Sequence, residues 1–268
     1  MVRVATFNLH AGVDGWGRPT RVLDHVAQLD ADILVLPELW RGDDGEDLFE
    51  LLQDRLGMSG AFAPLATAQR VTSGHGGRSW QPWLAHFTGE RGLYFDEHRT
   101  LTRFQEAHRD SLTGLQHGDW GLGLLTRFEI QTIDVVPLDR LPREKVRRAL
   151  IVAKLHDGTR PFHMLAVHGA HLSHGSYRQY RAIAAIAAGL DATLPVIMAG
   201  DFNSWRPLLR VLLPGWRSMV RARTWPARLP HSQIDHILAR GPIASRGGFA
   251  TDGGSDHRAL VADLTWAQ

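Results

Sequence analysis

Short apolar runs recur along the chain, and most of them end at a polar or charged side chain. Runs of this length between glycine, proline and polar residues predict β-strands that other elements cover on one or both faces. The predicted strands occupy residues 2–7, 33–36, 121–127, 149–155, 162–167, 195–199, 234–238 and 259–264. The second strand ends at Pro37 and Glu38, and the strand at 195–199 ends at Gly200, where the backbone can turn.

Apolar residues at helical spacing follow three of these strands. The spacing predicts helices within residues 20–29, with Thr20 as N-cap, within 41–60, ending at Gly57, and within 177–190. Residues 61–120 show no clear period. We expect the aromatic side chains in that segment to cover a sheet edge rather than line a groove, since apolar residues pack more often than they bind. They are Trp80, Trp83, Phe87, Tyr94, Phe95 and Phe104.

The order of strand, helix and strand occurs in both halves of the chain. No linker, low-complexity tract or short repeat separates the halves. The pattern predicts one domain over residues 1–268, of the α/β class, in which each half supplies a sheet and the sheets pack face to face with helices outside.

Composition narrows the class of protein. The chain has 268 residues, of which 44% are apolar and 22% charged, as in ordinary globular proteins. Cysteine is absent, which excludes disulfides and thiol catalysis. Met1 leads directly into the first predicted strand, and no apolar run approaches the roughly 18 residues of a membrane span. We therefore expect a cytoplasmic protein with no transmembrane segment.

Polar side chains collect at the ends of the predicted strands. Asp201 and Asn203 follow the strand at 195–199, and side chains two positions apart on extended chain share a face. Taken alone, such a pair also fits an Asx turn that merely closes a strand. The full set is Asn8, Glu38, His171, Asp201, Asn203, Asp235, Asp256 and His257.

Carboxylates, amides and histidines in this combination suit hydrolysis of phosphate esters. Mg²⁺ prefers one or two carboxylates together with water and substrate oxygens, so we expect Glu38 to bind the metal, with Asn8 and Asp256 nearby. The reaction also needs a base and hydrogen-bond donors for the phosphoryl oxygens, for which His257 and His171 are candidates. Zinc is disfavoured because no His-Glu-x-x-His or similar ligand spacing occurs.

With these residues in place, the chain resembles the endonuclease/exonuclease/phosphatase superfamily of deoxyribonuclease I-like, metal-dependent phosphoesterases. The resemblance covers nearly the whole chain, and its motifs occur in family order. They are Thr6-Phe7-Asn8, Leu36-Pro37-Glu38, residues 121–127, Ala170-His171-Leu172, Gly200-Asp201-Phe202-Asn203, Ile234-Asp235-His236-Ile237 and Ser255-Asp256-His257. The resemblance implies a four-layered α/β sandwich, in which two mostly antiparallel sheets are flanked by helices and the site lies at one sheet edge.

The resemblance also implies Mg²⁺ or Mn²⁺ as cofactor and a role for each polar residue. The implied roles are metal binding by Glu38, positioning or activation of water by Asp201, contact with the scissile phosphate by Asn203 and His171, and an Asp235–His257 pair. Which histidine serves as acid and which as base stays open. Pro37 replaces the family's usual glutamine, and His10 stands where a small polar or acidic residue often follows the asparagine.

Arginine supplies nearly all the basic charge, since Lys145 and Lys154 are the only lysines. The segment from Arg206 to Arg228 and the preceding Trp205 together hold six arginines and three tryptophans, with no carboxylate between Asp201 and Asp235. We expect it to border the substrate entrance because it connects two strands whose ends both carry site residues, and its charge and stacking surface suit nucleic acid. The substrate-binding set is therefore Asn8, His171, Asn203, Arg217, Arg221 and Arg223. An ordinary solvated loop is the alternative, and a solvated face is the expectation for the basic run at 140–148.

The expected function is metal-dependent hydrolysis of a phosphoester, of the phosphodiesterase or nuclease type, in which an activated water attacks the phosphate. The partner is then a phosphoester substrate, with nucleic acid as one candidate. Two alternatives stay open, a phospholipid or small-molecule phosphoesterase and a catalytically silent module that binds nucleic acid or phosphoinositide. Residues 31–39 also resemble the catalytic-glutamate strand of nitrilases and carbon–nitrogen amidases, but those enzymes need a cysteine nucleophile and this chain has none.

Overall fold

A computed structural model of the protein describes residues 1–13, 19–71, 93–95, 115–142, 144 and 146–267. The strands in these ranges form two sheets. The first sheet contains, in spatial order, β12 (Ile243–Asp252), β13 (Arg258–Trp266), β1 (Val2–Thr6), β2 (Ile33–Gly42), β5 (Leu115–Thr126), β3 (Ser59–Val71) and β4 (Leu93–Phe95). The second sheet contains β10 (Arg217–Ser218), β11 (Asp235–Arg240), β9 (Val196–Asp201), β8 (Pro161–His168), β7 (Ala149–His156) and β6 (Glu129–Pro137).

Both sheets are mostly antiparallel, and in the described part of the chain each contains one parallel pair. In the first sheet β1 runs parallel to β2, and in the second β8 runs parallel to β9, with His168 opposite Asp201. Parallel neighbours end at the same edge of a sheet. The polar residues that lie where these two parallel pairings end are therefore delivered to one place.

The two sheets pack face to face through side chains that alternate along the strands. On β8, Met164 and Ala166 belong to the apolar cluster shared by both sheets, whereas Leu165 and Val167 belong to a second cluster with the helices. This alternation follows from the two-residue period of a strand. Burial of both faces explains why these runs are continuously apolar.

In the described part of the chain, four α-helices cover the outer faces of the sheets. Helices α1 (Val22–Gln28) and α2 (Leu48–Leu56) pack on the first sheet, and α3 (Tyr177–Ala188) and α4 (Arg206–Leu212) pack on the second. The order helix, sheet, sheet, helix confirms the predicted four-layered sandwich. The prediction that each half of the chain supplies its own sheet is wrong, because β12 and β13 from the second half complete the first sheet by pairing with β1. No helix in the described residues is long and apolar enough to cross a membrane.

The predicted helix ends are partly correct. Helix α2 ends as predicted at Gly57, which has a φ of +62°. The prediction that Thr20 caps α1 is wrong, because the helix begins after Arg21 and the Thr20 hydroxyl donates instead to the carbonyl of Gly12 at 3.1 Å.

Strand β2 is longer than predicted. It continues past Glu38 to Gly42, and its pairing with β5 shifts between Pro37 and Leu39. Glu38 lies in this irregularity with a φ of +56°, a conformation that is uncommon outside glycine. Bulges redirect side chains, and here the strand continues into the core at Leu39 and Trp40, while Glu38 remains partly accessible.

The segment at 61–120, which showed no period, supplies nearly all of β3, all of β4 and the first half of β5. Trp80, Trp83, Phe87 and Phe104 lie outside the described residues, as do the side chains of Tyr94 and Phe95. The expectation that these aromatics cover a sheet edge stays a prediction.

Candidate functional site

The site lies where the two parallel strand pairs end, and Asn8 joins its two sides. The Asn8 Nδ2 donates to Oε1 of Glu38 at 2.9 Å and to Oδ2 of Asp201 at 3.1 Å. Glu38 belongs to the first sheet and Asp201 to the second. Because its Oδ1 accepts the backbone N–H of His10 at 3.0 Å, both ends of the Asn8 side chain are engaged.

Asp235 and His257 form a buried pair beside Asp201. The His257 Nδ1 donates to Oδ2 of Asp235 at 2.9 Å, and its Nε2 lies 3.8 Å from Oδ2 of Asp201. Burial opposes the charged imidazolium, but the Asp235, Asp256 and Asp201 carboxylates together raise the pKa of His257 well above its usual value. His257 therefore holds its proton with one N–H fixed on Asp235.

Asp201 is held in an environment that opposes its ionised form. Its exposure is 1%. Burial first, and then the neighbouring Asp235 carboxylate, raise the pKa of Asp201, while His257 and the backbone N–H of Asn203 act in the opposite direction. A bound cation would reverse this balance, since its charge favours the carboxylate form.

His168, which the motif analysis did not select, completes the group around Glu38 and Asp201. Its Nε2 lies 3.8 Å from Oε1 of Glu38 and 3.8 Å from Oδ2 of Asp201. Complete burial, followed by the charges of Arg148 and His257, lowers the pKa of His168 well below its usual value. The neutral imidazole has a free nitrogen lone pair to offer a cation. The sequence signal was present, because His168 ends its strand as Asp201 ends its own.

Two sets of side chains in the described residues bring potential metal-binding atoms within 4.8 Å of one another. One set is Glu38, His168 and Asp201, and the other is Asp201, Asp235 and His257. In the second set the His257 Nδ1 is already bound to Asp235 and the ring is charged, which disfavours coordination. The two carboxylates of the first set are ligands that fit Mg²⁺ or Mn²⁺, and the neutral imidazole of His168 adds a nitrogen donor, which Mg²⁺ does not prefer.

A cavity of about 610 Å³ opens onto this group, within the range of small-molecule sites. Its lining includes the predicted residues Glu38, His171, Asp201, Asn203, Asp256 and His257. Asn8 and Asp235 lie behind that lining as the hydrogen-bond partners of Glu38 and His257. The structure thus brings all eight strand-end residues to one location.

Asn203 follows Asp201 in an Asx turn and also lines the cavity, and its contact with a phosphate stays a prediction. Its backbone N–H donates to Oδ1 of Asp201 at 2.7 Å, and its Nδ2 donates to the carbonyl of Gly169 at 3.1 Å. One N–H of the amide group is left for a substrate oxygen. His171 is exposed at the cavity, with its ring centroid 6.0 Å from that of His174.

Asp256 lines the cavity beside His257 but belongs to neither metal-binding set in the described residues. Its effect in this structure is electrostatic, since it contributes to raising the pKa of His257. The roles of Asp256 and Asn8 as metal ligands stay predictions.

The three arginines predicted to bind substrate lie in different places. Arg221 and Arg223 line a cleft of about 430 Å³ that shares Trp205, His231 and Ser232 with the main cavity. Arg217 does not line that cleft, and its Nη2 donates to the carbonyls of Gly241 and Ile243 at 2.7 and 2.8 Å. Arg221 and Arg223 therefore adjoin the site, whereas Arg217 ties two backbone segments together.

The basic run at 140–148 is not uniformly solvated. Arg147 is exposed, but Arg148 is buried and lines the main cavity. The expectation of a solvated face is therefore wrong for Arg148, because its side chain points inward from the start of β7.

Comparison with protein families found a match over nearly the whole chain. The family model described as "Endonuclease/Exonuclease/phosphatase family" matches residues 5–257. A search of curated proteins found no match.

Solved structures share the fold at low sequence identity. An endonuclease/exonuclease/phosphatase from Beutenbergia cavernae is 20% identical, with 99% of this chain and 72% of that chain covered and a TM-score of 0.64. D. rerio TDP2 complexed with a single-strand DNA product is 14% identical, with 98% of each chain covered and a TM-score of 0.60. A Bacteroides thetaiotaomicron mannosyl-6-phosphatase is 14% identical, with 99% of this chain and all of that chain covered and a TM-score of 0.60.

Proposed function

This chain belongs to the endonuclease/exonuclease/phosphatase family, and from that premise we propose that residues 1–268 act as one domain that hydrolyses phosphodiesters with a divalent cation and an activated water. One observation carries the proposal. A single amide group, that of Asn8, bridges carboxylates from the two sheets at 2.9 and 3.1 Å, directly beside the buried Asp235–His257 pair.

Glu38, His168 and Asp201 would hold the cation, for which we propose Mg²⁺ or Mn²⁺. When bound, the cation offsets the negative charge that develops on the phosphoryl oxygens. His168 supports this assignment because its lowered pKa keeps the imidazole neutral. A protonated imidazole could not coordinate a metal.

Asp201 would act on the attacking water, and His257 would act on the phosphate. Asp201 faces the cavity next to the proposed cation, where its carboxylate can accept a hydrogen bond from the attacking water and orient it. His257 carries a proton and a positive charge, so its Nε2–H can donate to a phosphoryl or leaving oxygen. Asn203 and His171 would add hydrogen bonds to the same phosphate.

The cleft with Arg221 and Arg223 favours a nucleic-acid substrate among the phosphodiesters. It adjoins the cavity at Trp205, which is 56% exposed, an unusual exposure for a side chain of this size. Exposed tryptophan beside arginine suits the stacking of a base next to a bound backbone. A small-molecule or lipid phosphoester is the alternative, and proteins of this fold include both a DNA-bound TDP2 and a mannosyl-phosphatase.

A panel of phosphoesters tests the function. The metal-stripped protein would be assayed with Mg²⁺, Mn²⁺ or EDTA on bis-p-nitrophenyl phosphate, p-nitrophenyl phosphate, single-stranded, plasmid and abasic DNA, RNA and sphingomyelin. We expect metal-dependent cleavage of the diesters, with single-stranded nucleic acid the best substrate. Binding of an oligonucleotide without turnover of any ester would instead identify a silent binding module.

A further inference from the structure

A second charged cluster, made of Arg148, Glu144, His174 and Trp120, lies on the wall of the main cavity. All four side chains line that cavity. The Arg148 Nη2 donates to Oε1 of Glu144 at 3.2 Å, and Oε2 of the same carboxylate lies 3.2 Å from Nδ1 of His174. The guanidinium carbon of Arg148 lies 5.3 Å from the centroid of the Trp120 ring. None of these residues has a role in the proposed hydrolysis.

The guanidinium of Arg148 is buried with incomplete pairing. Arg148 is 8% exposed, and its Nε and Nη1 have no hydrogen-bond partner among the residues that the structure describes. A buried charge with unpaired donors is costly. Glu144 compensates only in part, because His174 shares its carboxylate. An anion from outside the protein would complete the pairing that the protein leaves open.

The position of Arg148 suggests which anion that is. The Trp120 ring lies close to both Arg148 and His168, with its centroid 5.3 Å from the guanidinium carbon of Arg148 and 5.1 Å from the His168 ring centroid. His168 in turn lies 3.8 Å from both Glu38 and Asp201. Arg148 carries the charge of a cation and cannot be a metal ligand, but it lines the same cavity, beside Trp120 and apart from the contacts among Glu38, His168 and Asp201. That separation suits a neighbouring group of the same substrate rather than the scissile phosphate.

We propose that Arg148, supported by Trp120, binds a second phosphate group of the substrate next to the scissile ester. The proposal rests on the proposed hydrolysis for the identity of the scissile group. Guanidinium is suited to phosphate because it donates several hydrogen bonds in a plane, and an aromatic face below restricts its motion. Glu144 holds Arg148 in place in the free protein and competes with the incoming anion.

The test compares two ligands that differ by one phosphate, thymidine 3′,5′-bisphosphate and thymidine 5′-monophosphate. Binding is measured by calorimetry in EDTA, so that neither ligand is hydrolysed. We expect the parent protein to bind the bisphosphate at least about 10-fold more tightly, in line with one charge-assisted hydrogen-bonding site. Arg148→Gln should abolish that preference while leaving monophosphate affinity within about twofold, and Arg148→Lys should retain part of it.

Matched variants keep the proposal open to refutation. Arg147→Gln removes an exposed arginine next in sequence and should change nothing. Glu144→Gln removes the competing charge while keeping a hydrogen-bond acceptor, so it should increase the preference for the bisphosphate. This variant decides the matter if Arg148→Gln does not fold.

Two results would overturn the proposal. Equal weakening of both ligands by Arg148→Gln would place Arg148 on the scissile phosphate or in the fold, and an unchanged preference would exclude it from binding. A parent protein that prefers the bisphosphate but hydrolyses no phosphoester would support the subsite while refuting the proposed function. The source of the second phosphate is then tested by comparing the cleavage rates of 5′-phosphorylated and unphosphorylated dithymidylate. Faster cleavage of the phosphorylated form would identify an oligonucleotide end as the source, and equal rates would favour a free bisphosphate.

Discussion

At the scale of single residues, Asp201 connects the parts of the site through different oxygens. Its Oδ1 accepts the N–H of Asn203, and its Oδ2 accepts the amide of Asn8. The same Oδ2 lies 3.8 Å from the Nε2 atoms of His168 and His257. The Asp201 carboxylate therefore belongs both to the metal-binding set and to the surroundings of the Asp235–His257 pair. A substitution in one of these two groups should affect the other.

Asp235 and His257 should act as one unit. Asp235→Asn or His257→Ala is expected to lower kcat by roughly 10²- to 10⁴-fold each, because either change removes the oriented, charged imidazole. Since both changes remove the same group, the double variant should be little worse than the poorer single variant. Kinetics on bis-p-nitrophenyl phosphate, with melting temperatures as a folding check, would measure this. Losses that multiply in the double variant would show independent roles.

His236 should make the stability of the fold depend on pH. Burial lowers the pKa of His236 to about 4, while its Nε2 donates to the carbonyl of Ser204 at 3.0 Å. The unfolded chain binds a proton at this histidine below pH ~6.5, whereas the folded chain does so only near its lower pKa, so stability falls by about 3 kcal/mol in total as pH decreases from ~6.5 to ~4.

His236→Gln removes this titration. We expect the variant to be less stable than the parent at pH 7.5 but to lose less stability on acidification. Urea unfolding between pH 7.5 and 4.5 measures the difference, with the exposed His117→Gln as control. Parallel pH profiles for parent and His236→Gln would contradict the assignment.

Sequence analysis identified site residues whose side-chain orientation follows from the local strand pattern. It missed site residues whose side-chain orientation depends on a turn or on tertiary contacts. Asp201 follows a continuous apolar strand, so its position at the sheet edge could be predicted. His168, His171 and His174 occur within seven positions, and which of them faces the metal-binding set depends on the turn at Gly169, where a Cβ would meet the Tyr180 hydroxyl at 2.6 Å. Arg147 and Arg148 are adjacent in sequence and differ in which face of the chain each occupies. A run of basic residues has no alternation of apolar and polar positions, so the buried arginine could not be predicted from it.

At the scale of elements, the segment between β9 and β11 forms part of the site rather than a plain connection. It begins with Asn203, continues through α4 and returns at Asp235. Between these ends it presents Trp205, Arg221 and Arg223 to a cleft that adjoins the main cavity. The same residues in a loop on another edge would have no route to the scissile bond.

Replacing Arg221 and Arg223 together with glutamine should raise KM on single-stranded oligonucleotides without affecting hydrolysis of bis-p-nitrophenyl phosphate. Because two phosphate contacts are lost, the slope of log K against log salt should decrease by roughly 1 to 1.5. Arg160→Gln with Arg246→Gln is the matched control, since these arginines are also exposed but do not line the cleft. An unchanged salt dependence in the Arg221/Arg223 variant would remove the cleft from substrate binding.

Strand positions were easier to predict than their ends. The cores of β8, β9 and β13 are buried on both faces, so continuous apolar runs marked them clearly. The extension of β2 beyond Glu38 was not predicted, because a charged residue after an apolar run indicates the end of a strand. Strand β2 continues beyond Glu38 because its pairing with β5 resumes after the bulge. That pairing joins residues distant in sequence, so the local pattern does not predict it.

At the scale of the whole molecule, the site lies across the contact between the two sheets. Glu38 comes from one sheet and Asp201 from the other, with Asn8 hydrogen-bonded to both. A cation held by these carboxylates would link the two sheets directly. Metal binding should therefore be visible in the stability of the whole fold as well as in activity.

Saturating Mn²⁺ should raise the melting temperature, and Glu38→Gln should abolish both the increase and the hydrolysis. At a metal concentration about 100 times Kd, linkage gives about 2.7 kcal/mol, which corresponds to a shift of roughly 5 to 10 °C for a chain of this size. Glu50→Gln, a change of an exposed carboxylate on α2, is the control. Hydrolysis that survives EDTA, or an equal Mn²⁺-induced shift in Glu38→Gln, would contradict the assignment of the metal site.

The antiparallel pairing of β1 with β13 has a consequence for synthesis on the ribosome. Val2 lies opposite Leu264, so β1, in the interior of the first sheet, gains one of its two neighbours only after more than 250 further residues have been made. At about 5 to 20 residues per second, that interval is on the order of 12 to 50 s. Asn8 and Glu38 emerge early, and His257 emerges just before β13. The nascent chain therefore has no complete site until His257 and β13 have been made.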